Sequence, residues 1–178
     1  MDYRKLHISE IISGENFNYK LIINFLSDNP DYVQKFIDYS LSGKKNAWRA
    51  TWILYHYSNR HGISQLQPFA TDYINLIKKN KIDGYIRETI KIVNQLELNE
   101  EQTCEFYDIC LELLWNNKMQ PSVRSVAFEF LLKTANKYPE LQNEIFEVFS
   151  QIKEHLSNGI KQSLTNRIAN YKIKKQLN

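Results

Sequence analysis

Glycine and proline are scarce in this chain of 178 residues, which contains only five glycines and four prolines. Sheet-rich proteins need a turn about every 8 to 12 residues, and those turns depend on Gly, Pro, Asn and Asp. The shortage therefore excludes a sheet-rich fold. It favours helices joined by a small number of short turns.

Cysteine and long apolar runs are scarce as well. The two cysteines, Cys104 and Cys110, are six residues apart, so on a helix they point roughly 120° away from each other and are not expected to pair. Unpaired thiols are typical of a reducing compartment. The start of the chain, MDYRKLHISEII, lacks a continuous apolar segment, and no run reaches the roughly 18–20 apolar residues of a membrane span. We expect a soluble, cytoplasmic protein with no membrane contact.

Enzyme signatures are missing too. His56 and His61 would lie roughly 140° apart on a helix, and no acid or cysteine completes a metal-binding spacing. The chain has no glycine-rich phosphate loop and no GxSxG elbow. Cys104 is surrounded by glutamates, whose charge disfavours a nucleophilic thiolate. We therefore expect no enzyme, no cofactor and no metal.

The chain does contain enough apolar residues for a core, because 43% of its residues are hydrophobic. Its length fits one domain, which we predict to span residues 1–178. The net charge is +3, but the charges are unevenly distributed. An acidic block follows Glu97, while bases dominate the C-terminal segment, including Lys172, Lys174 and Lys175. Such asymmetry can steer a charged partner, although solvated helix faces are the simpler interpretation.

A short sequence around an arginine occurs three times. Arg49 lies in AWRATWIL, Arg87 in YIRETIKI and Arg124 in SVRSVAFE, at spacings of 38 and 37 residues. A period of this size indicates stacked helical repeats, each too small to bury its own apolar face. The first copy belongs to Asn46–His61, the most aromatic stretch of the chain.

About nine helices are predicted from the apolar spacing and the turn residues. Three prolines (Pro30, Pro68 and Pro139) stand where helices begin, because proline is tolerated in a first turn. We predict that the arginine-bearing helices come first in each antiparallel pair and that the second helices often begin with proline.

Residues Pro121–Leu141, PSVRSVAFEFLLKTANKYPEL, resemble the HEAT repeat. They show its proline, its valine–arginine pair, a small residue three positions after the arginine and a leucine-rich helix end. AWRATWILYHYSNR and YIRETIKIVNQL are similar to it as well, so the resemblance covers about residues 18–158. It implies an all-α fold, a right-handed solenoid of about four HEAT-like antiparallel helix pairs with capping helices. Such proteins mostly hold other macromolecules.

The repeated arginines and the two tryptophans of the first copy each have two interpretations. Arg49, Arg87 and Arg124 can bond to loop carbonyls or acids of a neighbouring repeat, which we favour, or form a ladder that grips phosphates. Trp48 and Trp52 can pack in the core, which we also favour. Alternatively they can stack bases, as tryptophans do in the HEAT-like DNA alkylation-repair glycosylases. No acid stands between positions 38 and 72 to assist such catalysis.

The second helices of a solenoid line its concave surface, and their exposed residues are mixed to acidic. This predicted binding face comprises Lys35, Tyr39, Asp72, Asn75, Glu105, Asp108 and Glu112. It suits a basic peptide or protein better than a nucleic acid. The leading prediction is a non-enzymatic protein-interaction or scaffold module.

The alternative prediction is a nucleic-acid-binding HEAT-like protein related to the alkylation-repair solenoids. It depends on a predicted basic patch of Lys44, Lys45 and Arg60, together with the C-terminal bases.

Overall fold

All the regular structure is helical in residues 3–14 and 17–176, which are the residues that this computed structural model describes. The side chains of His155 and of residues 171–176 are outside that description. The predicted bases Lys172, Lys174 and Lys175 therefore lie beyond the described side chains.

Ten α-helices occupy the described residues, against about nine predicted. They are α1 (Ile8–Ser13), α2 (Tyr19–Asp28), α3 (Asp31–Leu41), α4 (Ala47–His61), α5 (Ala70–Lys79), α6 (Asp83–Val93), α7 (Glu100–Trp115), α8 (Pro121–Lys137), α9 (Gln142–Ile152) and α10 (Asn158–Gln176). Short 3₁₀ turns lie at Tyr3–Lys5, Gln67–Phe69, Pro139–Leu141 and Lys153–His155. The predicted all-α class is confirmed.

Helix ends follow local sequence chemistry. Pro30 directly precedes α3, while Pro68 and Pro139 lie in 3₁₀ turns that lead into α5 and α9. Asn99 caps α7: its Oδ1 accepts from the backbone N–H of Gln102, and its own N–H donates to Gln102 Oε1, at 2.8 and 3.1 Å. Gly62 ends α4 with a φ of +87°, a conformation that favours glycine.

The chain divides into two compact units, Met1–Leu98 and Asn99–Asn178. The boundary falls in the segment between α6 and α7. A single domain over residues 1–178 accordingly stays a prediction, and each unit is described by itself.

In the first unit, α3 packs against α4 and α5 packs against α6. Helix α4 also contacts α2 on one side and α6 on the other, so α2, α4 and α6 form a layer. Arg49 is on α4 and Arg87 is on α6, which makes them residues of the second helix in each pair. Our predicted order was therefore wrong: the helices that carry Lys35, Tyr39, Asp72 and Asn75 come first.

In the second unit, α7 packs along α8, and α8 also contacts α9 and α10. Arg124 lies on α8, again the second helix of its pair. The core around these helices contains Phe106, Phe128 and Leu131, all completely buried. The contact between Phe106 and Phe130, whose ring centroids are 4.4 Å apart, joins α7 to α8.

A buried hydroxyl cluster joins α3, α5 and α6 in the first unit. Ser40 Oγ lies 2.9 Å from Tyr73 Oη, and Tyr85 Oη donates to the carbonyl oxygen of Ser40. Neither tyrosine is exposed to solvent. Burial raises the pKa of Tyr85 to about 12, because the phenolate would lack water. Both tyrosines thus stay protonated, and their hydroxyls align three helices.

We expect Tyr73→Phe to lower the free energy of unfolding by about 1 kcal/mol, because one buried hydrogen bond is lost while Ser40 still donates to the Ile37 carbonyl. Tyr73→Ala should cost about 3–5 kcal/mol, because it also leaves a cavity. Urea unfolding measures both changes. The control is Tyr39→Phe, at a half-buried site on α3, which should shift stability by less than about 0.5 kcal/mol. Equal effects of the two phenylalanine variants would contradict a role for the Tyr73 hydroxyl.

Candidate binding surfaces

Helix α4 has one buried face and one half-buried aromatic face. Ala47, Ala50, Ile53 and Leu54 are fully buried between neighbouring helices. The other face carries Trp48, Trp52, Tyr55 and His56; Trp52 is four residues after Trp48, and Tyr55 and His56 are three and four residues after Trp52, as residues on one side of a helix are. Neither tryptophan belongs to the fully buried core. Both are nonetheless mostly buried, and Trp52 packs against neighbouring rings, so the prediction that they are packed core residues is met only in part.

These rings form a cluster with two aromatic residues near the start of α2. The centroid of the Trp52 ring lies 5.0 Å from that of Tyr19, 6.1 Å from that of Phe17 and 4.9 Å from that of His56. We define the aromatic surface as Phe17, Tyr19, Trp48, Trp52, Tyr55 and His56. Since every member is only half-buried, the cluster faces solvent and is held in place by ring–ring contacts.

Two bases border the aromatic surface. The guanidinium carbon of Arg49 lies 5.5 Å from the Phe17 centroid and 5.4 Å from the Trp48 centroid, and its Nη1 donates to the Ile12 carbonyl at 2.8 Å. Lys91 Nζ, on α6, lies 5.1 Å from the Tyr55 centroid. Cation–π contacts of this kind fix the rings and add positive charge to the border of the surface.

Glu88 places a buried carboxylate beside the aromatic surface. Its side chain is 1% exposed and accepts from Arg87 Nε at 2.8 Å and from Lys91 Nζ at 3.1 Å. A buried charge held between two bases has its negative charge satisfied within the protein. The burial of His56 lowers its pKa, and the Lys91 charge lowers it further while Glu88 opposes this, so the imidazole is neutral at pH 7.

Sequence reasoning missed this arrangement, because Glu88 comes from another helix than the tryptophans. Positions 39–71 contain no acidic residue, and the carboxylate beside the tryptophans comes instead from Glu88 on α6. Glu88 is buried and is paired with Arg87 and Lys91, so its carboxylate has a structural role. This role does not favour the base-excising alternative. The sequence did contain one sign of a buried carboxylate, which is the neighbouring Arg87 and Glu88 on a helix whose buried face is otherwise mostly apolar.

The repeated arginines make different contacts in the three copies. Arg49 and Arg124 donate to main-chain carbonyls, whereas Arg87 pairs with a carboxylate on the next residue. Arg124 is 4% exposed, and its Nε donates to the Leu114 carbonyl near the end of α7 at 2.9 Å. Burial lowers its pKa. This geometry supports the structural interpretation of the arginines and leaves Arg124 out of reach of a phosphate.

A cleft of about 430 Å³ opens in the second unit between the N-terminal half of α7 and the C-terminal end of α8. We call it the α7–α8 cleft. Its walls are mostly apolar. The residues that line it include Glu100, Cys104, Tyr107, Asp108, Tyr138 and Glu140. Tyr107 Oη donates to Glu144 Oε2 at 3.0 Å, and burial together with that carboxylate raises the pKa of Tyr107. Cys104 is exposed, whereas Cys110 is completely buried.

The predicted binding face is distributed over both units. Lys35 and Tyr39 lie on α3, which packs against α5 with Asp72 and Asn75. Lys35 Nζ is 4.0 Å from the Tyr32 centroid, and both residues line a polar cleft of about 280 Å³ together with Arg4, Lys5 and His7. Lys35 therefore has basic neighbours.

The rest of the predicted face lies in the second unit. Glu105, Asp108 and Glu112 lie on α7, and only Asp108 of these three reaches the α7–α8 cleft. The other acids of the cleft, Glu100 and Glu140, were missed because they stand at helix starts and meet only when α7 packs along α8.

The predicted basic patch is not a compact group. Lys44 and Lys45 precede α4, while Arg60 lies in its last turn, and a 15-residue helix spans roughly 22 Å. Lys44 Nζ lies 5.4 Å from the Tyr39 centroid, whereas Arg60 Nη1 donates to Asn24 Oδ1 at 2.9 Å. Opposite ends of one helix cannot present these three bases to a single phosphate group.

Within the described residues, no group of three or more His, Cys, Asp and Glu side chains is placed to hold a metal ion. The same residues include no helix long and apolar enough to cross a membrane.

Comparison with known families finds one model, the HEAT repeat domain, that matches residues 11–171. The chain belongs to the HEAT repeat family. The predicted family and its α-solenoid fold class are confirmed. Neither a curated protein nor a solved structure matches the chain. HEAT repeats generally mediate protein–protein interaction or scaffolding and are typically non-enzymatic.

We expect Arg124→Ala in this HEAT protein to lower the free energy of unfolding by about 1–3 kcal/mol, because the buried Leu114 carbonyl loses its donor. Urea unfolding measures the change. Arg167→Ala is the matched control in the same unit: Arg167 Nη1 pairs with Glu129 Oε2 at 2.7 Å on the partly exposed surface, where such a pair contributes at most about 1 kcal/mol. An unchanged Arg124→Ala protein would contradict the structural role.

Proposed function

We propose that this HEAT protein is a non-enzymatic protein-interaction module whose aromatic surface binds a partner protein. The observation that supports it is the partly exposed cluster of Phe17, Tyr19, Trp48, Trp52, Tyr55 and His56 on the layer formed by α2, α4 and α6. Tryptophan, tyrosine and arginine are the residues that contribute most to binding energy at protein interfaces.

The chemistry of the border specifies the kind of partner. Arg49 and Lys91 lie at the border of the surface, and the one buried carboxylate beside it, Glu88, is paired with Arg87 and Lys91, so the border carries a net positive charge. A partner that presents an apolar patch edged by carboxylates is complementary in shape and in charge. Ring–ring and cation–π contacts already hold the cluster, so less side-chain entropy is lost when the partner binds.

Two predictions from the sequence remain parts of this proposal. Glu105, Asp108 and Glu112 on α7, together with Asp72 and Asn75 on α5, provide further contacts for basic partners, while Lys35 and Tyr39 on α3 belong to the same predicted face in basic surroundings. A cytoplasmic location is supported by the two free thiols of Cys104 and Cys110, which a reducing compartment maintains.

We expect a photo-crosslinking aromatic residue at position 52 to form a discrete adduct with one protein in cells that naturally produce the chain. The same residue at position 115 is the control, since Trp115 is 48% exposed and lies outside the aromatic surface. Mass spectrometry identifies the adduct. The purified partner should then bind wild-type protein and Trp115→Ala equally, and Trp48→Ala and Trp52→Ala about tenfold or more weakly. Melting temperatures show whether each variant is folded. Equal losses for the variants at positions 52 and 115 would contradict the proposal.

Nucleic acid is the second candidate partner, because bases can stack on tryptophan beside arginine. We expect no binding to random duplex DNA at about 50 mM salt, since Arg49 and Arg124 donate to carbonyls and the bases of the predicted patch are far apart. Fluorescence anisotropy with labelled duplex measures this. Tight binding that weakens steeply as salt rises, and that Trp52→Ala abolishes, would favour the nucleic-acid function instead.

A further inference from the structure

We propose that the α7–α8 cleft binds an arginine or lysine side chain of a basic peptide segment. The proposal rests on the proposed function, because it names the chemistry of a protein partner, but it concerns a different surface. The cleft has a volume of about 430 Å³, which lies in the usual range of ligand pockets.

The lining of the cleft is matched to a long cationic side chain. Its mostly apolar walls accommodate the methylene stem, which lysine and arginine bury while the charged end stays at a polar site. Glu100, Asp108 and Glu140 place carboxylates along the cleft, and because Glu100 and Asp108 are separated by about 12 Å of helix, the charged end meets one end of this acidic lining rather than all three groups. Glu144 adds a fourth carboxylate next to the cleft, where it accepts from Tyr107 Oη at 3.0 Å.

Two tyrosines supply aromatic surface to the same cleft. Tyr107 is held in position by Glu144, so its ring is a fixed wall. The ring of Tyr138 is already occupied by the chain's own Lys137, whose Nζ lies 5.2 Å from the ring centroid, so the Tyr107 ring is the aromatic wall left for a partner's cation. A cation from a partner is attracted to aromatic faces in the same way, and the surrounding carboxylates strengthen the attraction. An acidic peptide or a nucleic-acid backbone would be repelled.

Position 104 provides a direct test of where the peptide binds. The Cys104 thiol is exposed and lines the cleft, whereas Cys110 is fully buried and its pKa is raised by that burial. A maleimide reagent should therefore modify the native protein once, at Cys104, and reach Cys110 only after unfolding.

The probe is a fluorescent peptide of nine residues that alternates arginine with leucine, and the same peptide with glutamate in place of arginine is its control. We expect saturable anisotropy for the basic peptide only, at about 50 mM salt. Modification of Cys104 with a bulky maleimide should abolish that binding, because the adduct fills the cleft. Wild-type protein exposed to the same reagent after the reagent has been quenched with excess free thiol should bind normally. Wild-type affinity after modification would overturn the proposal.

Charge-neutral variants separate the cleft from general electrostatic attraction. Glu100→Gln with Glu140→Gln should weaken binding by about threefold to tenfold, as expected when two exposed charge contacts are lost. Glu112→Gln is the matched control, because it lies on α7 outside the cleft and should change binding by less than about twofold. Equal weakening by Glu112→Gln would show attraction to the acidic helix as a whole and would overturn the proposal.

The failure of this inference can be told apart from failure of the proposed function. If the crosslink at position 52 forms but Cys104-modified protein still binds the basic peptide, the aromatic surface is supported as the partner site and the proposal for the cleft is overturned. If the peptide binds as expected but no adduct forms at position 52, the cleft stands and the aromatic surface is not the partner site.

Discussion

Burial of one face of α4 is the constraint on which the first unit depends. Ala47, Ala50, Ile53 and Leu54 on this face are completely buried, and α4 contacts α2, α3 and α6. No single helix of this length could bury that face alone. The aromatic side chains on the opposite face are consequently held at the surface by a fixed backbone, a good foundation for a binding site.

Polar groups connect the helices where apolar packing alone would not fix their positions. Ser40, Tyr73 and Tyr85 align three helices of the first unit, and Arg124 ties α8 to the Leu114 carbonyl in the second. Such bonds contribute modestly to stability, yet a missing partner leaves a buried polar group unsatisfied, which is costly. Arg124 therefore has a structural explanation, as Arg49 has through the Ile12 carbonyl and Arg87 through the buried Glu88 carboxylate.

The two candidate surfaces have opposite charge. The aromatic surface is bordered by Arg49 and Lys91, whereas the α7–α8 cleft is lined by Glu100, Asp108 and Glu140. A partner for one surface would be a poor partner for the other, because like charges oppose each other. Taken together, the two proposals would make the chain a scaffold for two different protein segments.

The sequence by itself determined the all-α class, the repeat period and most helix ends, because proline, Asn99 and Gly62 act through local backbone geometry. It also indicated the α4 aromatic stretch. It could not determine the order of helices within a pair, the surface position of Trp48 and Trp52, the carboxylate that Glu88 brings to α4, or the meeting of Glu100 with Glu140. Those features depend on which helix faces pack together. The spacing of apolar residues shows that a helix has a buried face, but it does not show which other helix covers that face. Only the tertiary structure decided them.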